Sequence, residues 1–269
     1  MPDHPELETL HQRYQQQAQW TKTIREHLLD DIVLPPNAHI LEVGCGTGVI
    51  LNEDIPNYEN HHRFGIDIEK EVLGFAYQDH QENGYAQADA LTLPFPASTF
   101  DLVFCHFFLL WASPVVPILR EIQRVLKTSA CFLAFAEPDY GGRIDAPVEL
   151  AQLGKMQEQA LRQQGAETRI GRELAALFSN TNFIEIKTGV LGGEWQVTPM
   201  QEDEIQVIIN DLHTAGIDLS TKIKELLRRE KEARTAGTRI LFVPTFYAAG
   251  KKKKSAAANH SCKNGQSAL

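Results

Sequence analysis

Cysteine is scarce in this chain and forms no pattern: Cys45, Cys105, Cys131 and Cys262 are far apart, and the first three sit in apolar or glycine-rich surroundings. That argues against a disulfide framework and offers no zinc spacing, so the expected setting is a reducing, cytoplasmic one with no metal. The start, "MPDHPELETLHQRYQQQ", lacks a basic segment followed by an apolar one, and no secretory signal is expected. Long hydrophobic runs are also missing. The longest, Leu102 to Leu119, contains His106, Ser113, Pro114 and Pro117 and reads as strand, loop and helix start, so no membrane partner is expected. There is no internal repeat, and no Gly/Ser linker divides the body.

What is present is an acidic globular composition. The 269 residues are 43% hydrophobic and 23% charged, enough for a sizeable core. The formal charge is −9, yet Lys251, Lys252, Lys253, Lys254 and Lys263 crowd the acid-free end, leaving the rest still more acidic. Such a body repels phosphate backbones, so no nucleic-acid partner is expected. The segment 251–269 is low in apolar residues and reads as a disordered basic tail.

Helical and strand patterns alternate after a helical region ending at "LPPN". Strand "HILEVG" precedes a helix starting at "GVILNEDI"; strand "RFGIDI", helix "KEVLGFAYQDHQEN" and strands "YAQADA" and "FDLVFCHF" follow. Next come helix "VVPILREIQRVLK", with Pro117 in its first turn, and strand "CFLAFAEP". This alternation predicts an α/β fold, a mostly parallel sheet with helices on both faces and ligands at the carboxyl ends of the strands. Later segments depart from it: two helices, strand "FIEIKTGVL", two helices between Gln201 and Thr235, and a closing strand "TRILFVPTFYA".

The segment "ILEVGCGTGVIL", residues 40–51, joins the first strand to a glycine-rich bend. Gly44, Gly46 and Gly48 allow close approach of a ligand to the backbone. The dinucleotide fingerprint needs a glycine at its sixth position, where Val49 stands. Glu42, two residues ahead of Gly44, would repel a pyrophosphate and attract a cation.

With these features the chain resembles the class I S-adenosylmethionine-dependent methyltransferases of the type 11 kind, closely over about residues 10–140 and loosely to 250. "LEVGCGTG" is similar to the family's first motif, which implies that Glu42, Gly44, Cys45, Gly46 and Gly48 hold the amino-acid part of the cofactor. "FGIDIEKEVLGFA" resembles the second strand and its helix, which implies ribose contact by Asp67, with Ile68 beside it. "AQADALTLPFP" is similar to the adenine-contacting segment and places Asp89 and Ala90 there. "TFDLVFCHFFLLW" and "EIQRVLK" resemble the fourth strand and its following helix; "RVLKTSA" departs from the family's "RVLKPGG" in a turn away from the cofactor. The resemblance implies a Rossmann-like, doubly wound, mostly parallel seven-stranded sheet. It also implies S-adenosyl-L-methionine as cofactor and a methyl group transferred to a small-molecule acceptor.

Alternatives stay open for single residues. Asp67 also suits a helix N-cap and Asp89 a turn. His106 either lines the cofactor through its backbone or is a satisfied buried histidine. Tyr14 and Trp20 lie in region 1–36, which by analogy with related enzymes closes over the cofactor. On the acceptor side Glu137, Asp139 and Tyr140 in "AFAEPDYGGRID" are the candidate base or acceptor contacts, while the two acids equally suit a turn around Pro138. Phe107, Phe108 and Trp111 are candidate pocket walls. The methyltransferase domain is expected over 37–250, with lid insertions near 143–165 and 196–237. The competing functions are a non-catalytic S-adenosylmethionine-binding protein, a methyltransferase of protein acceptors, and an enzyme transferring an aminopropyl or carboxyl group.

Overall fold

Strand β1 (His39–Val43) shows how the sheet sorts its residues, because side chains alternate across a strand. Leu41 and Val43 enter the core on one face; Ile40 belongs to the core on the other, and Glu42 shares its parity. The computed structural model describes residues 5–53, 61–191, 201–217 and 221–254. Nearly all of the strands join one sheet: β2 (His62–Asp67), β3 (Gly84–Gln87), β4 (Phe100–Cys105), β5 (Leu126–Pro138), β7 (Phe183–Leu191) and β9 (Thr245–Lys252). The order is β3-β2-β1-β4-β5-β9-β7. The first five strands pair in parallel, and β9 runs antiparallel to both β5 and β7. This is the expected α/β, mostly parallel, seven-stranded sheet. Two short strands, β6 (Ile144–Ala146) and β8 (Ile240–Phe242), form a separate antiparallel pair.

Helices cover both faces. The apolar stripe Ile118, Leu119, Ile122 and Val125 of α3 (Val115–Val125) and Leu174 and Phe178 of α5 (Ile170–Asn180) pack with Leu41, Val103, Phe132 and Ala134. On the opposite face Ala18, Leu28 and Leu29 of α1 (Pro5–Asp30) meet Ile40, Phe104, Leu133 and Phe135. Each such large apolar side chain contributes about 1.5–3 kcal/mol when fully buried. The buried stripe of α1 continues through Thr21 and Arg25, at helical spacing from Ala18 and Leu28. Helix α2 (Lys70–Asp79) joins β2 to β3. Helices α4 (Ala151–Gln163), α6 (Gln201–Thr214) and α7 (Thr221–Thr235) make small cores of their own: Leu153 with Leu226 and Ala233, and Ala160 with Ile208, Leu212 and Ile223.

Four expectations are corrected. Residues 49–53 form turns, not a helix: Gly48 has φ +80°, outside the helical region, and the Glu53 amide bonds three residues back to Ile50. "RVLK" is split: α3 stops at Val125 and β5 begins at Leu126. The closing strand is two strands on different sheets, β8 and β9, separated at Val243 and Pro244; proline lacks the N–H a continuous ladder needs. Finally, the basic tail does not begin at Lys251. Lys251 pairs in register with Cys131 and Ile184, Lys252 pairs with Phe183, and Lys252 Nζ donates to the carbonyl of Leu126 at 2.6 Å. Residues 255–269 lie outside the described residues, as do the "GGEWQ" segment with Trp195 and part of the 196–237 insertion.

Candidate active site

The carboxyl ends of β1, β2 and β4 open on one cavity of about 1740 Å³, walled by α1, the 106–113 loop, the end of β5, and residues from α4, α6 and the 241–247 segment. Its floor is the glycine bend. Gly44 and Gly46 have φ +73° and +51°, which side-chain-bearing residues adopt only with strain. A β-carbon on Gly44 would lie 2.4 Å from Phe108 Cδ2, and one on Gly46 would lie 2.7 Å from Tyr14 Cε2. The bare backbone therefore serves both the bend and the close approach of two aromatic rings.

Glu42 lines this cavity although it is only 2% exposed. Burial raises its pKa well above the usual carboxylate range, against lesser opposing effects from the Leu51 amide and Arg25. Its Oε2 is buried with no hydrogen-bond partner among the described residues. A buried oxygen of this kind is costly unless a donor or cation meets it, and it faces a cavity able to admit one.

The neighbouring strand ends carry the other acids. Asp67 Oδ2 accepts from the Gly46 amide at 2.8 Å and Oδ1 from the Glu69 amide at 3.0 Å, tying β2 to the glycine bend. Asp89 Oδ1 accepts from the Leu91 amide at 2.9 Å, a turn that leaves the residue exposed along the same wall. Ile68 and Ala90 line the wall beside them, as do Cys45, Tyr14 and Trp20. Burial also raises the Cys45 thiol well above its usual pKa, so it is a packing residue and no nucleophile at neutral pH. His106 lines the cavity too, its Nε2 2.8 Å from Thr21 Oγ1. Burial, aided by Arg25, pushes its pKa well below the usual value, so the imidazole is neutral.

Gly48 is the glycine of the motif that does not line this cavity. It sits on the α2 side, where a β-carbon would meet Asn52 Nδ2 at 2.7 Å.

The acceptor-side expectation is corrected for two residues of three. Glu137 is fully buried, and its carboxylate accepts from the amides of Phe108 (3.1 Å), Leu109 (2.8 Å) and Leu110 (3.1 Å). It holds the 106–113 loop in place and does not line the cavity. The buried Asp139 is taken by Arg172, which donates to both of its oxygens, and by the Gly142 amide at 3.2 Å. Both acids shape the chain around Pro138. Tyr140 does line the cavity, with a hydroxyl that burial pushes up to about 12. Trp111 stands in the wall, 46% exposed, with Phe107 and Phe108.

Sequence reasoning missed Arg13, Gln17, Thr21, Arg143 and Gln157 as cavity residues. Arg13 and Gln17 lie one turn apart on α1, a spacing that the excess of polar residues in that helix hides. Among the described residues no cluster of His, Cys, Asp and Glu suits a metal ion, and no helix is long and apolar enough to cross a membrane.

A mostly parallel sheet with one antiparallel strand near its edge, and a glycine bend at the end of β1, make a Rossmann-like α/β fold. Residues 41–134, about a third of the chain, match the family model described as a methyltransferase domain. Cycloartenol-C-24-methyltransferase of Arabidopsis thaliana is 32% identical over 117 residues, 41% of this chain and 34% of that protein. The malonyl-[acyl-carrier protein] O-methyltransferase of Legionella pneumophila is 29% identical over 100 residues, 35% and 34% of the two chains. The chain thus matches about a third of the length of these curated relatives. In fold, YcgJ of Bacillus subtilis superposes with a TM-score of 0.54 at 19% identity, covering 87% of this chain and 100% of that one. Haemonchus contortus phosphoethanolamine N-methyltransferase 2, solved with S-adenosyl-L-methionine, gives 0.56 at 16% identity, covering 87% and 53%.

Proposed function

We propose that the protein transfers a methyl group from S-adenosyl-L-methionine to a small-molecule acceptor bound in the 1740 Å³ cavity. The observation that carries this reading is Glu42 Oε2, a buried acceptor with no partner among the described residues, at the head of the glycine bend. When bound, S-adenosylmethionine supplies a methyl carbon already activated by a sulfonium. Glu42 and the backbone of Gly44 and Gly46 would hold its amino-acid end; Asp67 and Asp89 would take the ribose and adenine, consistent with their places at the ends of β2 and β3. For such a reaction the chain has mainly to align the partners and exclude water.

Tyr14, Trp20 and Trp111 supply aromatic faces that attract a cation. Tyr140, whose proton stays on at neutral pH, orients an acceptor by hydrogen bonding and is no base. The lid role of α1, α4 and α6 is part of the same proposal, since each contributes wall residues.

Calorimetry of the purified chain with S-adenosylmethionine tests the cofactor, and methyl-labelled cofactor in a metabolite extract tests turnover. Tight binding with labelled product confirms the reading. Binding with no labelled product in small-molecule or protein fractions would leave a non-catalytic cofactor-binding protein instead.

A further inference from the structure

The acids and the arginines of the cavity wall stand on different elements. Its acids, Glu42, Asp67, Glu69 and Asp89, all stand at the ends of β1, β2 and β3, whereas its arginines, Arg13 and Arg143, stand on α1 and beside β6. The lining also includes the apolar Trp111, Leu161, Ile208 and Phe242.

The arginine end is the terminus of a continuous chain of charges. Arg13 contacts Asp211 at 3.3 Å, Asp211 accepts from Gln157 at 2.7 Å, and Gln157 accepts from Arg143. Arg143 pairs with Asp145, Asp145 with Arg239, and Glu230 with both Arg239 and Arg234. Four arginines thus face three acids; at the far end Arg234 Nη1 and Nη2 are buried with no partner among the described residues, and at the cavity end stands Arg13. Along that chain Arg143 and Arg239 are almost wholly buried and fully engaged, but Arg13 is 30% exposed on the cavity wall. Of the five N–H groups of a guanidinium, the described residues occupy one on Arg13, and its Nε is buried with no partner. The hydroxyl-bearing Tyr140 lines the same wall.

Resting on the methyl-transfer reading, we propose that the acceptor is an apolar molecule carrying one carboxylate, which Arg13 clamps with the Tyr140 hydroxyl as second donor while Asp211 positions the guanidinium. A planar carboxylate matches the guanidinium fork. The carboxylate is the anchor, and the atom to be methylated lies on the apolar body.

Calorimetry on the full chain compares phenylhexanoate, its uncharged amide and the corresponding phosphate monoester, with S-adenosylhomocysteine titrated separately. The carboxylate should bind about tenfold to a hundredfold more tightly than the amide, the range for hydrogen bonds to a charged group. Arg13→Gln should erase that difference without altering amide affinity, and Arg13→Lys should keep part of it. Equal binding of acid and amide, absence of binding by either, or a preference that survives Arg13→Gln overturns the proposal; so does a phosphate that outbinds the carboxylate. Failure to bind S-adenosylhomocysteine, with the carboxylate preference intact, would sink the methyl-transfer reading and leave only the carboxylate site at Arg13.

Discussion

Tyr14 packs on Gly46 so tightly that a β-carbon added to the glycine would stand 2.7 Å from the tyrosine ring. The first helix is therefore seated directly on the bend that joins β1 to the rest of the sheet. Tyr14 is itself a cavity residue whose pKa is raised, first by burial and then by Asp67. Gly46→Ala should lose about 1–3 kcal/mol from the positive φ and the displaced ring together. In a Tyr14→Ala background the same change should cost less, since only the backbone part remains. A urea double-mutant cycle measures the coupling, and strict additivity would show that the ring does not press on the glycine.

Glu137 makes stability depend on pH. Burial raises its pKa to about 7, so the folded chain holds the proton more tightly than the unfolded chain does. Its contribution is fully present below the ordinary carboxylate pKa and is lost as pH rises through about 7. The loss is on the order of 3 kcal/mol between pH 4 and pH 8. Glu137→Gln should flatten this part of the profile, while leaving the Leu110 amide short of its acceptor. Urea midpoints of both proteins across that range give the answer; identical slopes would remove Glu137 as the cause.

Asp139→Asn should lower stability and leave cofactor affinity unchanged, because the carboxylate serves Arg172 and Gly142 rather than the cavity. Arg172 is 43% exposed, so solvent screens the pair, and the expected cost is about 1–3 kcal/mol, mostly from the buried oxygen. Thermal melting and cofactor titration of one preparation separate the two effects. A drop in cofactor affinity at unchanged stability would return Asp139 to the site.

Asp67→Asn tests a carboxylate with two duties. Both oxygens already accept from backbone amides, of Gly46 and Glu69, so the substitution should loosen the bend as well as weaken ribose contact. The expected loss of S-adenosylmethionine affinity is about 1–3 kcal/mol. Calorimetry that finds no change would make Asp67 a backbone cap only.

Deleting the chain from Lys251 onward should destabilise the fold, because β9 is held between β5 and β7 through Lys252. Loss of about 1–2 kcal/mol would lower the melting temperature by about 2–8 °C. A truncation that keeps Lys254 retains every one of these contacts, and the comparison of the two melting curves locates the end of the strand.

Much of the architecture was legible in the residues themselves. Period-2 apolar runs such as "HILEV" and "FDLVFC" and the helical stripe of α3 fix their elements locally, because burial on one or both faces leaves few alternatives. The glycine bend was equally readable, since Gly44 and Gly46 sit where positive φ is required. Pairings over long sequence distances were decided only by tertiary structure. The segment 238–248 reads as one strand, yet β8 pairs with β6 and β9 with β5 and β7, on either side of Pro244. The acids near Pro138 show the same division. Their types suggested chemistry, but only folding brought three loop amides to Glu137 and Arg172 to Asp139. Arg13 gave no signal at all, because an arginine on a polar helix looks solvated until α6 brings Asp211 to it. The sequence by itself determined the elements and the glycine bend, where the physics is local; tertiary structure decided which charges met, because a carboxylate or guanidinium acquires its role from partners distant in the chain.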